Sequence, residues 1–295
     1  MKIADYYQGQ APSISFELFP PRNEVGMRAL QNRLPKLISL EPEFITVTYG
    51  AMGQTQEKTL EIASMIRNEY GIDTAHHLTC IGTSKTTLGQ ILDSIHSHGI
   101  DKIVALRGDP PSGESLYVPP ANTHPYASDL VHAIRNDGRF SIAVAGYPET
   151  HTEAPDPETD LRHLRSKVNS GADAIITQLY YDNDAFYSFV NKCRAIGITQ
   201  PIVPGLMPIL DVQQIKRITR ICGATIPAIL LRNLELADGN PDKVHEIGIQ
   251  HTVQQALDLL SHGVPGIHFY VLNQYFHIAE IMNRIRHALP QTQLP

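Results

Sequence analysis

A glutamate inside an apolar strand is the residue of this sequence most suggestive of chemistry. Glu17 lies in the run 15–19, which is typical of a buried strand, and Pro20 and Pro21 end that strand. Burying a neutral polar group without a partner already costs about 2–7 kcal/mol. The carboxyl group therefore either has a structural hydrogen-bond partner or uses its proton, since burial raises a carboxyl pKa toward neutrality. The segment alone leaves both interpretations open.

Composition narrows the class of protein. The 295 residues are 42% hydrophobic and 18% charged, which is enough for a large core and fits a single α/β barrel. The net charge of -6, without any Lys/Arg cluster, argues against a nucleic-acid partner. Three widely spaced cysteines indicate buried thiols in a reducing compartment. No apolar run is long enough for a membrane span or a signal peptide, so we expect a cytoplasmic protein.

Eight short apolar runs predict the fold. They cover residues 13–19, 44–49, 74–80, 102–107, 141–147, 174–180, 201–207 and 266–272. Helical patterns lie between them, and the long interval after the seventh run carries extra helices, one of them over residues 244–260, while another over 275–288 follows the eighth run. Eight strand–helix units predict a closed (β/α)8 TIM barrel that forms one domain over residues 1–295. No glycine fingerprint of a Rossmann or P-loop fold follows any strand.

Polar residues collect at the predicted carboxyl ends of the strands, where barrel enzymes place their active sites. Glu17 and Gln178 are the most informative, because they lie within apolar strands and not in loops. The full set is Glu17, Thr48, Tyr49, Gly50, His77, Thr79, Arg107, Gly108, Asp109, Tyr147, Pro148, Glu149, His151, Gln178, Tyr180, Tyr181, Met207, Tyr270 and Asn273. The proline-rich segment 109–125 follows the fourth strand and is typical of an active-site loop.

These residues predict no metal site, and they leave the role of Arg107 open. His76 and His77 are adjacent in a strand and therefore point to opposite faces, so they cannot share an ion, and we expect no metal. Arg107 beside Asp109 is compatible with a simple ion pair and also with an anionic ligand.

Nine short motifs together resemble the methylenetetrahydrofolate reductase family. They occur in collinear order between Ser13 and Asn273, at residues 15–21, 47–50, 77–80, 105–111, 146–151, 167–173, 177–178, 204–208 and 268–273. The resemblance implies a flavin-binding (β/α)8 barrel and the short bacterial type of enzyme, without a regulatory domain. It also implies a homo-oligomer.

The resemblance further implies a reaction. Bound FAD would take a hydride from NADH or NADPH and pass it to methylenetetrahydrofolate in a ping-pong scheme, giving methyltetrahydrofolate for methionine synthesis. Glu17 would be the general acid that opens the folate ring, and Asp109 would favour the resulting cation and tune the flavin. The implied substrate-binding residues are Glu17, Asp109, Gln178, Tyr270 and Gln274. Nothing in the sequence separates NADH from NADPH.

For FAD, the matching positions include three natural partners of a diphosphate, Arg107, His151 and Lys167. The complete set is Thr48, His77, Arg107, Gly108, Asp109, Tyr126, Ala127, Ser128, Asp129, Tyr147, His151, Asp160 and Lys167. Without the resemblance, Lys167 would be interpreted as a solvated helix residue.

Four positions depart from the pattern common in related enzymes. His163 and Ser166 replace an amide and an arginine near the diphosphate, Val212 replaces a stacking aromatic, and Gln274 replaces an arginine on the substrate side. Two alternative functions remain: an FAD barrel that acts on another one-carbon pterin or on an amine such as proline, and a noncatalytic flavin-binding subunit.

Overall fold

The structure is a computed structural model that describes residues 1–9, 11–49, 56–108 and 119–289. A short 3-10 helix, Ile3–Tyr7, precedes the first strand. The strands are β1 Ser13–Leu18, β2 Phe44–Val47, β3 Asp73–Thr79, β4 Lys102–Leu106, β5 Ser141–Gly146, β6 Ala174–Thr177, β7 Ile202–Val203, β8 Gly205–Leu206 and β9 Gly266–Tyr270. The helices are α1 Glu24–Ile38, α2 Gln56–Tyr70, α3 Lys85–Ser97, α4 Ala127–Asp137, α5 Pro157–Asn169, α6 Asn183–Ala195, α7 Val212–Cys222, α8 Ala228–Ala237, α9 Pro241–Ser261 and α10 Tyr275–Ala288.

The strands form one parallel sheet that curls into a barrel. Its order is β7-β6-β5-β4-β3-β2-β1-β9-β8, and β7 and β8 are separated in the chain by Pro204 alone. The two ends of the sheet therefore meet at one residue, which confirms the predicted barrel.

The seventh strand differs from the prediction, which made residues 201–207 continuous. Pro204 has no N–H to donate, so the ladder breaks there. The segment before it pairs with β6 and the segment after it pairs with β9. The Pro204 carbonyl still accepts a hydrogen bond from the His268 backbone N–H at 2.9 Å. The break moves the chain from one neighbour to the other and closes the barrel.

The predicted helical stripes pack as expected. Leu30, Leu34 and Leu37 of α1 are buried in the main core between helices and barrel. A smaller core joins α7 and α8 to the chain that follows β6, and it includes Leu179, Ile215, Leu230 and Leu234. This second core fixes α7 beside the carboxyl ends of the strands.

The amino end of the barrel is closed by the 3-10 helix. Ile3, Tyr6 and Tyr7 are buried against Phe44 and other residues at the start of the strands. Below them, Lys102 is only 1% exposed, and its Nζ lies 2.7 Å from Asp101 Oδ1 and 3.3 Å from Asp73 Oδ2. Because this end is filled, a ligand can reach the barrel interior from the opposite end. No helix in the described ranges combines the length and the apolar character that a membrane crossing requires.

His76 on β3 is buried in an uncharged state. It is 0% exposed, and its ring contacts the Tyr49 ring edge-on at 5.9 Å between centroids. Burial, with a smaller effect of the neighbouring His77, lowers the pKa of His76 to about 3. An unfolded chain binds a proton at this histidine below its ordinary pKa of about 6.5, whereas the folded chain does not.

We predict that replacing His76 by leucine reduces the loss of unfolding free energy when the pH is lowered. The unfolded state binds more protons between about pH 6.5 and 3, so the stability tied to His76 is complete above this range and is lost as the pH falls through it. Between pH 7 and 5 the loss amounts to about 2 kcal/mol. Urea unfolding at both pH values should show a smaller loss for His76→Leu than for wild type. Exposed His132→Leu is the control; equal losses in all three proteins would contradict the prediction.

Candidate active site

A cavity of about 730 Å³ opens at the carboxyl ends of the strands. Its volume lies within the range of small-molecule and cofactor sites. Residues directly after strand ends line it, among them Thr48 after β2, Arg107 after β4, Tyr147 after β5 and Gln178 after β6. The predicted site residues that line this cavity are Glu17, Thr48, Tyr49, His77, Thr79, Arg107, Gly108, Tyr126, Ala127, Ser128, Tyr147, His151, Asp160, Lys167, Gln178, Met207 and Tyr270.

The carboxyl group of Glu17 is surrounded by hydrogen-bonding side chains from neighbouring strands. The pairing of β1 with β2 and β9 sets Glu17 beside Thr46 and Tyr270. Its Oε2 lies 3.4 Å from His77 Nε2, 3.4 Å from His268 Nε2 and 3.4 Å from Thr46 Oγ1. The Glu17 side chain is 17% exposed and reaches the cavity. The buried acid of the sequence analysis is therefore both partnered and accessible to a ligand.

The pKa of Glu17 is shifted in the direction opposite to the effect of burial alone. Burial raises this pKa, but the charge of His77, together with the His268 and Thr46 hydrogen bonds, outweighs burial and lowers it below the ordinary value. Burial in turn lowers the pKa of His77, although the Glu17 carboxylate opposes that effect. The free site therefore holds a carboxylate, stabilised by partners that lie far from it in sequence. The sequence left open whether Glu17 has a partner or a raised pKa, and these contacts favour the partnered acid.

Two basic side chains, Lys167 and Arg107, and the imidazole of His151 line one edge of the cavity. Lys167 of α5 donates from Nζ to the Ala145 carbonyl, and burial lowers its pKa to about 8, with Asp160 opposing. Burial also lowers the pKa of His151, whose backbone N–H donates to Asp160 Oδ2 at 3.0 Å. Lys167 is thus a cavity residue and not a solvated one. An edge of this kind suits an anionic ligand such as a phosphate ester.

Arg107 completes this edge but already has a carboxylate partner. Its Nη2 lies 2.5 Å from Glu153 Oε1, and the two side chains are 24% and 51% exposed. The Glu153 backbone N–H also donates to His151 Nδ1 at 3.1 Å. An incoming anion must therefore compete with Glu153 for the guanidinium group.

Tyr270 and Gln178 lie on the wall beside Glu17. The Tyr270 hydroxyl donates to the Thr177 carbonyl at 2.6 Å, next to Gly205 of the two-residue strand β8. Gly205 makes this approach possible, because a Cβ there would lie 2.2 Å from the Thr177 carbonyl oxygen and 2.8 Å from the Tyr270 ring. Gln178 Oε1 accepts the backbone N–H of Leu179 at 2.8 Å. This bond fixes one end of the amide and leaves the amide nitrogen as the donor for a ligand.

Several predicted residues are not brought into the cavity. Asp129 accepts the Tyr126 backbone N–H at 3.1 Å and caps α4, and Gln274 precedes α10 outside the lining. Asp109 and Gly50 lie outside the described residues, as do positions 110–118 of the predicted active-site loop.

Four further residues of the predicted strand-end set have structural roles. Glu149 accepts the Thr225 backbone N–H, and Asn273 bridges the Phe19 backbone N–H and carbonyl at 3.1 and 2.8 Å. Tyr180 is fully buried, and the Tyr181 hydroxyl donates to the Met207 carbonyl.

The cavity also contains residues that sequence reasoning missed. Glu153 lies two positions after the motif residue His151, so its proximity was the one available signal. Ile218 and Cys222 reach the cavity from α7, spaced four apart on the helix face next to the buried Ile215 and Thr219. His163 and Ser166 line the cavity as well. Unlike Glu153, Ile218 and Cys222, these two positions were named in the sequence analysis, where the family resemblance placed them near the diphosphate.

The two adjacent histidines separate as predicted. His77 faces the cavity, whereas His76 packs on Tyr49 and does not line it. Within the described part of the chain, no group of three or more His, Cys, Asp or Glu side chains has the geometry of a metal site.

The fold and the site define a parallel α/β barrel with an acid at the base of a cavity whose edge suits anions. Residues 2–286 match the family model described as methylenetetrahydrofolate reductase. The chain belongs to this family.

Named relatives agree with this assignment. The chain is 36% identical over 282 residues to the 5,10-methylenetetrahydrofolate reductase of Escherichia coli, covering 96% of this chain and 92% of that protein. It is 42% identical over 289 residues to methylenetetrahydrofolate reductase (NADH) 1 of Arabidopsis thaliana, covering 92% of this chain. The chain spans about half the length of this plant relative, 49%.

A solved structure shares the fold. It is an uncharacterized protein from Clostridium thermocellum that binds two copies of 5-methyl-5,6,7,8-tetrahydrofolic acid. The TM-score is 0.64, with 96% of this chain and 97% of that chain covered. At 15% sequence identity, this likeness supports the barrel alone.

The Arg107–Glu153 pair generates a prediction about anion binding. Glu153→Gln should bind ADP, a soluble diphosphate ester, up to about fivefold more tightly than wild type, because a partly exposed ion pair contributes about 0.2–1 kcal/mol. Isothermal titration calorimetry measures the two dissociation constants. Glu158→Gln, an exposed change in the first turn of α5 outside the cavity lining, is the control. Weaker binding by Glu153→Gln would show that Glu153 supports the anion site.

Proposed function

We propose that the protein reduces 5,10-methylenetetrahydrofolate to 5-methyltetrahydrofolate, with FAD as the hydride carrier and NADH or NADPH as the donor. The observation that carries the proposal is Glu17, a partnered acid at the base of a cavity of cofactor size. The names of its relatives support the reaction, and the plant relatives carry NADH in theirs. The folate bound by the Clostridium thermocellum neighbour agrees with the substrate class.

The residues of the cavity fit FAD. A diphosphate needs hydrogen-bond donors, preferably charged ones, and Arg107 and Lys167 lie along one edge together with His151. Lys167 is held against the Ala145 carbonyl, and its lowered pKa shows that the site disfavours an uncompensated ammonium ion. A bound anion would supply the missing charge. Asp160, Thr48, Tyr126 and Ser128 offer oxygen atoms to the hydroxyl groups of the cofactor. FAD, when bound, supplies hydride transfer.

Glu17 supplies the proton. The closed ring of methylenetetrahydrofolate is a poor hydride acceptor, and protonation of its bridging aniline nitrogen lets the carbon–nitrogen bond break to give an iminium cation. The proton leaves Glu17, the hydride adds to the iminium carbon, and the product is the methyl group. Glu17 must therefore take up one proton in each turnover. A bound pterin excludes water from the cavity, which raises the pKa of the acid from its low value in the free site.

The remaining wall residues position the substrate. The Gln178 amide nitrogen can donate to a pterin or nicotinamide group, and the Tyr270 ring forms the wall beside Glu17. Asp109, three positions after the last residue of β4 in the sequence, would favour the cationic iminium. A single cavity then serves the nicotinamide and the folate in turn, as a ping-pong scheme requires. The homo-oligomer implied by the family resemblance stays a prediction.

The decisive test follows the colour of the purified protein without oxygen. The protein should carry flavin absorbance near 450 nm on the order of one FAD per chain, lose it when NADH or NADPH is added, and regain it with methylenetetrahydrofolate. A stopped-flow spectrophotometer measures both half-reactions. Protein that takes up no FAD, or reduced protein that methylenetetrahydrofolate does not reoxidise, would overturn the proposed function.

Glu17→Gln should separate the two half-reactions. Flavin reduction by the nicotinamide needs no acid and should stay within about threefold of wild type, whereas reoxidation by the folate should fall by about 10²–10⁴-fold. Stopped-flow absorbance gives both rates. Glu43→Gln, an exposed change at the amino end of β2, is the control. If both half-reactions slowed equally, Glu17 would be a structural residue.

A further inference from the structure

A buried serine–histidine pair lies behind Glu17, away from the cavity. Ser15 and His268 are in-register neighbours on β1 and β9, and both are 0% exposed. Ser15 Oγ lies 2.8 Å from His268 Nδ1. The other ring nitrogen, Nε2, lies 3.4 Å from Glu17 Oε2. The three side chains therefore form one continuous chain of contacts that ends at the acid.

The charge of Glu17 determines which groups donate and which accept along the Ser15–His268–Glu17 contacts. In the free site Glu17 is a carboxylate and accepts only, so His268 Nε2 carries the hydrogen and donates it. A neutral imidazole with hydrogen on Nε2 has a bare Nδ1, which accepts the hydroxyl hydrogen of Ser15. Ser15 thus selects the tautomer of His268 that donates to Glu17.

The ring of His268 is also fixed in orientation. The Tyr270 ring packs edge-on against it at 5.4 Å between centroids and 87° between planes, and the Tyr270 hydroxyl is bonded to the Thr177 carbonyl. Two other titratable groups lie near these three side chains. His77 faces the same carboxyl oxygen of Glu17, and the Tyr7 hydroxyl lies beside Ser15.

The contacts distinguish the two oxygens of the carboxyl group. His77, His268 and Thr46 all approach Oε2. Oε1 takes no part in these three contacts, while the side chain reaches the cavity. Resting on the proposed function, we propose that His268, oriented by Ser15, is a positioning residue that holds Oε2 of Glu17 and leaves Oε1 to deliver the proton to the substrate.

A positioning role for His268 predicts a change in the Glu17 pKa that loss of a merely space-filling side chain would not cause. A hydrogen bond to a charged group contributes about 1.5–3 kcal/mol, so loss of the His268 donor should raise the pKa of Glu17 by about one to two pH units. His268→Leu removes the donor, His268→Gln keeps an amide N–H at similar reach, and Ser15→Ala removes the tautomer selection. His76→Leu is the matched control, since His76 is equally buried and lies outside the three Oε2 contacts.

The first measurement requires no cofactor. Carbon-13 NMR titration of the Glu17 carboxyl, assigned by difference from Glu17→Gln, gives its pKa in each purified variant. We expect an upward shift in His268→Leu, a smaller upward shift in Ser15→Ala, little shift in His268→Gln and none in His76→Leu. An unshifted or lowered pKa in His268→Leu would overturn the proposal. Should that variant not fold, an unshifted pKa in Ser15→Ala would do the same.

The second measurement is the pH dependence of the folate half-reaction. In His268→Leu its rate at saturating folate should fall at least tenfold at neutral pH through lost positioning, its decline with rising pH should move to higher pH, and flavin reduction by the nicotinamide should be unchanged. A normal folate half-reaction in His268→Leu would overturn the positioning role. If His268→Leu shows the shifted Glu17 pKa but the wild-type protein shows no folate half-reaction, the proposed function is overturned and the Ser15–His268–Glu17 contacts remain supported.

Discussion

The contact of one carboxyl oxygen with polar side chains from three strands is the interaction on which the site depends. Glu17 Oε2 meets Thr46 from β2, His77 from β3 and His268 from β9, and these contacts exist because the barrel sets β1 between β2 and β9. A one-residue slip of β1 would turn Glu17 toward the helices. Closure of the barrel therefore stabilises the buried acid and points it into the cavity.

The anion edge is balanced by the protein's own carboxylates. Arg107 is paired with Glu153, and the Lys167 ammonium has Asp160 as its nearby opposite charge. Positive groups crowded without such partners would repel one another and destabilise the folded chain. The cost of this arrangement is competition, because a ligand must displace Glu153 to reach Arg107. Affinity for the ligand and stability of the empty cavity are thus set by the same residues.

Periodicity predicted most of the fold, and the strand-end rule predicted most of the cavity lining. Alternation in β3 predicted that His76 and His77 point to opposite faces, and His77 faces the cavity whereas His76 does not. Sequence could not show that Pro204 divides the seventh strand between two neighbours, since that depends on pairing. It also could not give the sign of the Glu17 pKa shift, because the partners that lower this pKa, His77 first and then His268 and Thr46, lie on other strands. Ile218 and Cys222 were missed for a related reason: α7 reaches the cavity through a second core that has no local signature.

His76 and His268 show why burial alone does not assign a role. Both imidazoles are 0% exposed on strands of the same barrel. His76 meets an aromatic ring, so burial outweighs a smaller opposing backbone hydrogen bond and lowers its pKa to about 3, which leaves the imidazole uncharged above acid pH. His268 has a serine hydroxyl on one nitrogen and a carboxylate on the other, so its ring transmits a fixed orientation to the acid. The difference lies entirely in what each ring nitrogen faces, and strand pairing determines that. In this barrel the same geometry that closes the sheet also decides which buried histidine takes part in chemistry.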